Sequence, residues 1–176
     1  MEKKRLKRIK KALFIIAPKD FRDEELFETK KVLESSGVET EVASLEVGLI
    51  KGTQGGTQKA SKSLFEADIA DYGVVIFVGG PGASVYFDDP IALAIVEEVV
   101  RQNKILGAIC IAPSILANAG VLMGKKATAF SSEKDNLINK GAKFIDSPII
   151  VDGNLVTAAG PEVAGDFGWK IVELLS

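Results

Sequence analysis

The strongest constraint on the fold is the order of apolar runs along the chain. Short stretches dense in Val, Ile, Leu, Phe and Ala alternate with longer ones whose apolar residues recur at helical spacing. Residues 12–17, 74–78 and 105–109 are continuously apolar, as strands covered on both faces must be. Residues 38–43, 126–130, 148–151 and 155–158 also read as strands, the last two flanking an Asp152-Gly153-Asn154 hairpin turn. Between them, residues 23–36 read as a helix ending at Gly37. Pro90 opens a second helix over 90–103, with Ile91, Leu93, Ile95, Val96, Val99 and Val100 facing inward. Helices are also expected at 113–118, 133–140 and 161–175, and a glycine-bearing hairpin or excursion at 48–63. Strands alternating with helices predict an α/β fold: a mostly parallel, doubly wound sheet with helices on both faces. In that architecture, sites lie beyond the C-terminal ends of the strands.

Composition narrows the function classes. The 176 residues are long enough for one domain with a real core, and 47% apolar content excludes a disordered chain. A net charge of −2 gives no general attraction for nucleic acid. The single cysteine rules out an intrachain disulfide, and a secreted disulfide scaffold with it. Without histidine, the chain lacks the ligands for a zinc or copper site; only an all-oxygen site for a hard cation stays possible. Residues 1–11 carry seven Lys or Arg ahead of the apolar residues 12–17. That run ends at once in Pro18-Lys19-Asp20 without a small-x-small cleavage site, so it reads as a first strand behind a solvated basic extension, not a signal peptide. No stretch reaches the ~18 apolar residues of a membrane span. A cytoplasmic protein, free of membrane and nucleic acid, is the expectation.

Cys110 is the prime candidate for chemistry. It falls where the strand over 105–109 turns into the helix over 113–118, an elbow that lifts a side chain out of the sheet. The helix N-terminus there is expected to favour the thiolate. A buried structural cysteine is the competing reading, and the flanking residues do not reproduce the glycines of a G-x-S-x-G elbow. Gly79-Gly80-Pro81-Gly82 follows a buried strand and could bring backbone N–H groups to a ligand oxygen, although a simple tight turn accounts for it equally. It is no dinucleotide fingerprint, since Val85 stands where the third glycine belongs, and residues 120–126 do not have P-loop spacing. Asp23, Glu24, Glu25 and Glu28 open the first helix, where carboxylates complement the helix dipole. One of them could also point inward toward Cys110, and burial beside a thiolate would raise its pKa.

Taken in order, these segments resemble the ThiJ/PfpI superfamily, which includes archaeal intracellular proteases and the parkinsonism-associated protein deglycase. The carriers are Phe21-Arg22-Asp23-Glu24-Glu25-Leu26, Val42-Ala43-Ser44, Gly79-Gly80-Pro81-Gly82, Ala108-Ile109-Cys110, Gly120-Val121-Leu122, Lys134-Asp135-Asn136 and Val151-Asp152-Gly153-Asn154-Leu155-Val156-Thr157. The resemblance implies a flavodoxin-like three-layer sandwich over residues 12–176, no cofactor, and a homodimer or higher homo-oligomer. It implies that Cys110 is the reactive elbow cysteine and Glu25 the glutamate that hydrogen-bonds it. Gly79, Gly80 and Gly160 would then line the pocket.

The chain departs from the family at two points. Ile111 stands where protease-like members carry histidine, and Phe130 where several deglycase-like members do. Both would give the pocket apolar edges. Peptide hydrolysis needs a base for the nucleophile and an acid for the leaving amine, and Glu25 alone is poorly suited to both. The resemblance therefore points to glyoxalase- or deglycase-like chemistry on small 2-oxoaldehydes in stress protection, which needs one thiolate and one carboxyl group. The alternative is an oxidation-sensing stress protein or chaperone, in which an oxidant converts Cys110 to a sulfinate held by protonated Glu25.

Overall fold

Burial on both faces explains the continuous apolar runs. The computed structural model describes residues 7–176, and in it β1 (Lys11–Ile15) sends Leu13 and Ile15 to one side of the sheet and Ala12 and Phe14 to the other, all with no exposed surface. Helix α1 (Asp23–Ser35) and β2 (Glu39–Ser44) follow. A hairpin of β3 (Gly48–Lys51) and β4 (Thr57–Ala60) then precedes the short edge strand β5 (Lys62–Ser63). The middle of the chain is β6 (Val74–Phe77), α2 (Pro90–Arg101), β7 (Ile105–Ile109) and α3 (Pro113–Asn118). β8 (Lys126–Ala127), α4 (Lys134–Asn139) and β9 (Lys143–Phe144) form a side unit. The hairpin β10 (Ile149–Asp152) and β11 (Leu155–Ala158) leads to the final helix α5 (Ala164–Leu175).

The main sheet has seven strands in the order β10-β11-β7-β6-β1-β2-β5, parallel except for β10 against β11. Its parallel core, β2-β1-β6-β7-β11, is flavodoxin-like. From β1 the chain goes first to β2 on one side and later to β6 on the other, so the connections diverge between β1 and β6. One apolar layer joins α2 and α3 to the sheet through Ile95, Val96, Val99, Ile115 and Leu116. The other joins α1 and α5 through Leu26, Leu33, Phe167, Ile171 and Leu175. Phe167 and Ile171 lie directly over Gly107, where a Cβ would come within 3.0 Å of the Phe167 ring.

Several expectations need correction. Lys11 is the first residue of β1 rather than the last of a free extension, and Arg8 is tied down as well, donating to the Asn103 carbonyl at 3.0 Å and to Asn154 Oδ1 at 2.8 Å. Residues 1–6 of the basic leader lie outside the described residues. In α2, Ile91 and Val100 are 40% exposed; the inward stripe is Ala92, Ile95, Val96 and Val99, because the face set by helical geometry is narrower than the run of apolar residues. The strand expected over 126–130 stops at Ala127. Beyond it, single partners replace a ladder: Thr128 N–H donates to Thr157 Oγ1 and Phe130 N–H to the Cys110 carbonyl. The first turn of the expected final helix, Pro161–Val163, is 3-10.

Candidate active site

Three strand ends converge beside the point where the connections diverge. The segment after β1 supplies Glu25 on the first turn of α1, the loop after β6 supplies Gly79 and Gly80, and the turn after β7 supplies Cys110. Cys110 has φ +64°, the left-handed region that L-residues rarely adopt. Its backbone is held from two sides: its N–H donates to the Ala158 carbonyl at 2.9 Å, and its carbonyl accepts from Phe130 N–H at 2.8 Å. That turn leaves the thiol half-buried at the end of the sheet, packed against the edge of the apolar layer under α1 and α5.

Glu25 is completely buried. Oε2 accepts a hydrogen bond from Gly79 N–H at 2.8 Å, while Oε1 has no hydrogen-bond partner among the described residues. Burial pushes the carboxyl up to about 7, against the contrary pull of the Cys110 side chain, the Gly79 amide and the positive charge of Arg22. A buried oxygen without a donor disfavours the ionised carboxylate, in the same direction as the burial itself.

The glycines are fitted to this contact. A Cβ on Gly79 would lie 2.6 Å from both Cys110 Cβ and Glu25 Oε2, so any side chain there would displace the pair. Gly80 has φ +99°, and a Cβ on it would meet Arg22 N at 2.4 Å.

The thiol corrects one expectation. Burial first, and then the negative charge of Glu25, push Cys110 up to about 12, outweighing the backbone amides of Gly80 and Ile111 that favour the thiolate. The helix thought to favour ionisation has only six residues, so its end is too weak to offset removal of the sulfur from water. The negative charge can reach sulfur by another route. Moving the thiol proton to the Glu25 carboxylate leaves the net charge of the pair unchanged and places the new thiolate against those two amides.

The other expected pocket residues are distributed unevenly. Ile111 is half-buried directly after Cys110, and its amide acts on the sulfur. Phe130 is tied to Cys110 through the backbone and is 45% exposed. Gly160 is buried in extended backbone two residues beyond Ala158, with no hydrogen bond to Cys110 or Glu25 among the described residues. Of the remaining first-turn carboxylates, Glu28 is exposed and Glu24 pairs with Arg22.

Sequence reasoning assigned Asp23 to the helix dipole and passed over Arg22. Asp23 is buried and accepts from the Gln54 and Gly56 amides at 2.9 and 2.7 Å, pinning the β3–β4 hairpin to the segment that carries Glu25. The sequence signalled only that the glycine-rich excursion over 48–63 would carry N–H groups needing an acceptor; that Asp23 supplies it is visible in the structure alone.

No group of three metal-ligating side chains occurs among the described residues, and no helix among them is long and apolar enough to cross a membrane. A hollow of about 1050 Å³ lies at the opposite end of the sheet between Arg8, Asn103, Lys104 and Asn154. Its arginine is already committed to Asn103 and Asn154, and neither Cys110 nor Glu25 lines it.

Comparison with known proteins bears on the family and the fold. Three relatives align over nearly the whole chain. An uncharacterised protein of Methanocaldococcus jannaschii is 38% identical over 94% of this chain and 82% of its own length. A deglycase of Pyrococcus horikoshii is 32% identical over 94% of this chain and 99% of its own. A glutathione-independent glyoxalase of Caenorhabditis elegans is 27% identical over 94% and 89%. The crystal structure of a ThiJ/PfpI domain protein from Brachyspira murdochii superposes with a TM-score of 0.94 at 31% identity, covering 96% of this chain and 97% of that one. The DJ-1/PfpI family model matches residues 10–174, and the chain belongs to that family.

Proposed function

We propose that this protein is a cofactor-free glyoxalase- or deglycase-like enzyme that uses Cys110 and Glu25 on small 2-oxoaldehydes, in protection against carbonyl stress. The observation that carries the reading is the buried Glu25 carboxyl, with one unpartnered oxygen and a pKa raised to about 7 beside the elbow cysteine. A general acid–base works best when its pKa lies near the working pH, and a chain without histidine has few other groups able to meet that condition. The relatives named deglycase and glyoxalase support the same chemistry.

In this mechanism Glu25 takes the Cys110 proton, and the thiolate attacks the aldehyde carbon. A C–S bond forms, the carbonyl π pair moves to oxygen, and oxygen takes the proton back to complete a hemithioacetal. Glu25 then removes the proton from the former aldehyde carbon and delivers one to the adjacent carbon, while the hemithioacetal hydroxyl proton passes to the oxygen of that adjacent carbon. The first C–O thus becomes the thioester carbonyl and the second the hydroxyl. The product is the thioester of a 2-hydroxy acid. Water cleaves its C–S bond, releasing the 2-hydroxy acid and returning the thiol, with no net oxidation and no external reductant. Ile111 and Phe130 give the entrance an apolar edge that limits water beside the intermediate.

The decisive measurement is methylglyoxal consumption with lactate formation by the purified protein, beside Cys110→Ala and Glu25→Gln. Turnover lost in both variants is the expected result; turnover no higher than that of Cys110→Ala removes the enzyme reading. The unpartnered Oε1 also favours one other role, since a proton on it could bind an oxygen of a Cys110 sulfinate. Mass spectrometry after graded peroxide would then find Cys110 halting at the +32 Da product without any dicarbonyl turnover.

A further inference from the structure

We propose that Ser114 and Glu133 form a latch that closes the backbone elbow of Cys110, making both of them positioning residues for the site. The inference rests on Cys110 being the reacting nucleophile.

The elbow is secured unequally on its two sides. Its N–H is held by the Ala158 carbonyl of β11, a strand of the main sheet. Its carbonyl is held by the N–H of Phe130, which belongs to no strand, since β8 ends at Ala127. Packing does not fix this part of the chain either. Thr128 and Ala129 are buried, but Phe130, Ser131 and Ser132 are all exposed. A hydrogen bond from such a segment opens readily unless something else ties the segment down.

Side chains do so at each end. Thr157 Oγ1 accepts from Thr128 N–H at 2.9 Å. At the other end, Ser114 Oγ donates to Glu133 Oε1 at 2.8 Å, and Ser132 Oγ donates to Glu133 Oε2 at 2.6 Å. The bond from Ser114 closes a ring. The Cys110 carbonyl accepts from Phe130 N–H, and the Phe130 carbonyl accepts from Glu133 N–H at 2.9 Å. Glu133 accepts from Ser114, whose own N–H donates at 3.1 Å to the carbonyl of Ile111, the residue after Cys110. Ser114 has no exposed surface, and Asn136 Nδ2 donates to its oxygen at 3.1 Å and to Asn118 Oδ1 at 3.0 Å. Asn118 in turn donates to the Phe87 carbonyl at 2.8 Å, which fixes the buried end of the latch to α3, α4 and the chain before α2. A backbone at φ +64° persists only while its surroundings over-determine it. Releasing its carbonyl lets the elbow relax and takes the sulfur from its place beside Gly79 and Glu25.

Breaking the latch should loosen the elbow and leave the sheet intact. Glu133→Ala and Ser114→Ala are each expected to speed hydrogen exchange at the Phe130 amide about tenfold, with β6 and β7 keeping their protection. Opening more often, the half-buried thiol should react about threefold faster with iodoacetamide at pH 7. Turnover should move the other way, kcat for methylglyoxal falling about tenfold at little changed KM, because a loosened nucleophile is misplaced. The double variant should be no worse than either single one, since the two residues make one contact. Glu133→Gln still offers Ser114 an acceptor and should recover most of the parent behaviour. An unchanged Phe130 amide, or additive effects in the double variant, overturns the proposal. So does faster exchange with kcat as in the parent, the mark of a merely structural contact. Glu133 is only half-buried, so Glu133→Ala decides the matter should Ser114→Ala fail to fold. If the parent itself turns over no dicarbonyl, the carbonyl reading fails on its own. Exchange at Phe130 and alkylation of Cys110 then decide the latch, and both must rise.

Discussion

Gly79 donates its N–H to Oε2 of Glu25 at 2.8 Å, and it has no space for even a methyl group between that oxygen and Cys110. The expected outcome for Gly79→Ala is loss of turnover together with a fall in stability of about 2 kcal/mol, because the added carbon must displace a buried carboxyl or the elbow itself. Urea denaturation beside the turnover assay checks it. An alanine variant with parent-like activity and stability would show the contact to be loose.

The Glu25 carboxyl also makes stability depend on pH. Its folded-state pKa is raised, from an ordinary 4.5 to about 7, so its contribution is fully present below about 4.5 and is lost as pH rises through 7. The shift corresponds to on the order of 3 kcal/mol between those limits. Glu25→Gln lacks this dependence. The gap between parent and variant in urea unfolding should therefore move in the variant's favour from pH 5 to pH 9. Parallel stabilities across that range would mean that the carboxyl is no harder to ionise in the folded protein than outside it.

Asp23 governs a different property. Its two oxygens hold the Gln54 and Gly56 amides, adding a side-chain anchor from α1 to a β3–β4 hairpin whose backbone is also tied to Asp20 and Phe21. Asp23→Ala leaves both amides without their acceptor and should cost about 2 kcal/mol of local stability. Hydrogen exchange should speed up at Gln54 and Gly56 while β1 and β6 keep their protection. Uniform acceleration throughout the chain would mean that the anchor is global instead.

The parallel sheet was readable because three of its strands, β1, β6 and β7, are buried on both faces and so carry uninterrupted apolar runs. Cys110 and one inward-pointing carboxylate among Asp23, Glu24, Glu25 and Glu28 were readable because elbow and first-turn positions fall at the same edge of a doubly wound sheet; that the carboxylate is Glu25 was implied by the family resemblance. The protonation of the thiol was not. A helix N-terminus can be inferred from Pro113, but the weight of burial and of the facing carboxylate is a property of three dimensions. The same holds for Arg22, whose N–H meets the carbonyl of Gly79 in a loop 57 residues further along the chain. The strand expected over 126–130 failed for a related reason, since extended backbone became a ladder for only two residues.

The left-handed backbone at Cys110 inverts the usual ranking of replacements. Glycine ordinarily destabilises a folded chain relative to alanine, yet here alanine retains the steric conflict that glycine escapes. Cys110→Gly should thus be more stable than Cys110→Ala by about 1 kcal/mol, measurable as a higher melting temperature. A laboratory selection that rewarded heat resistance alone would drift toward glycine at this position, discarding the chain's single thiol without any pressure against it.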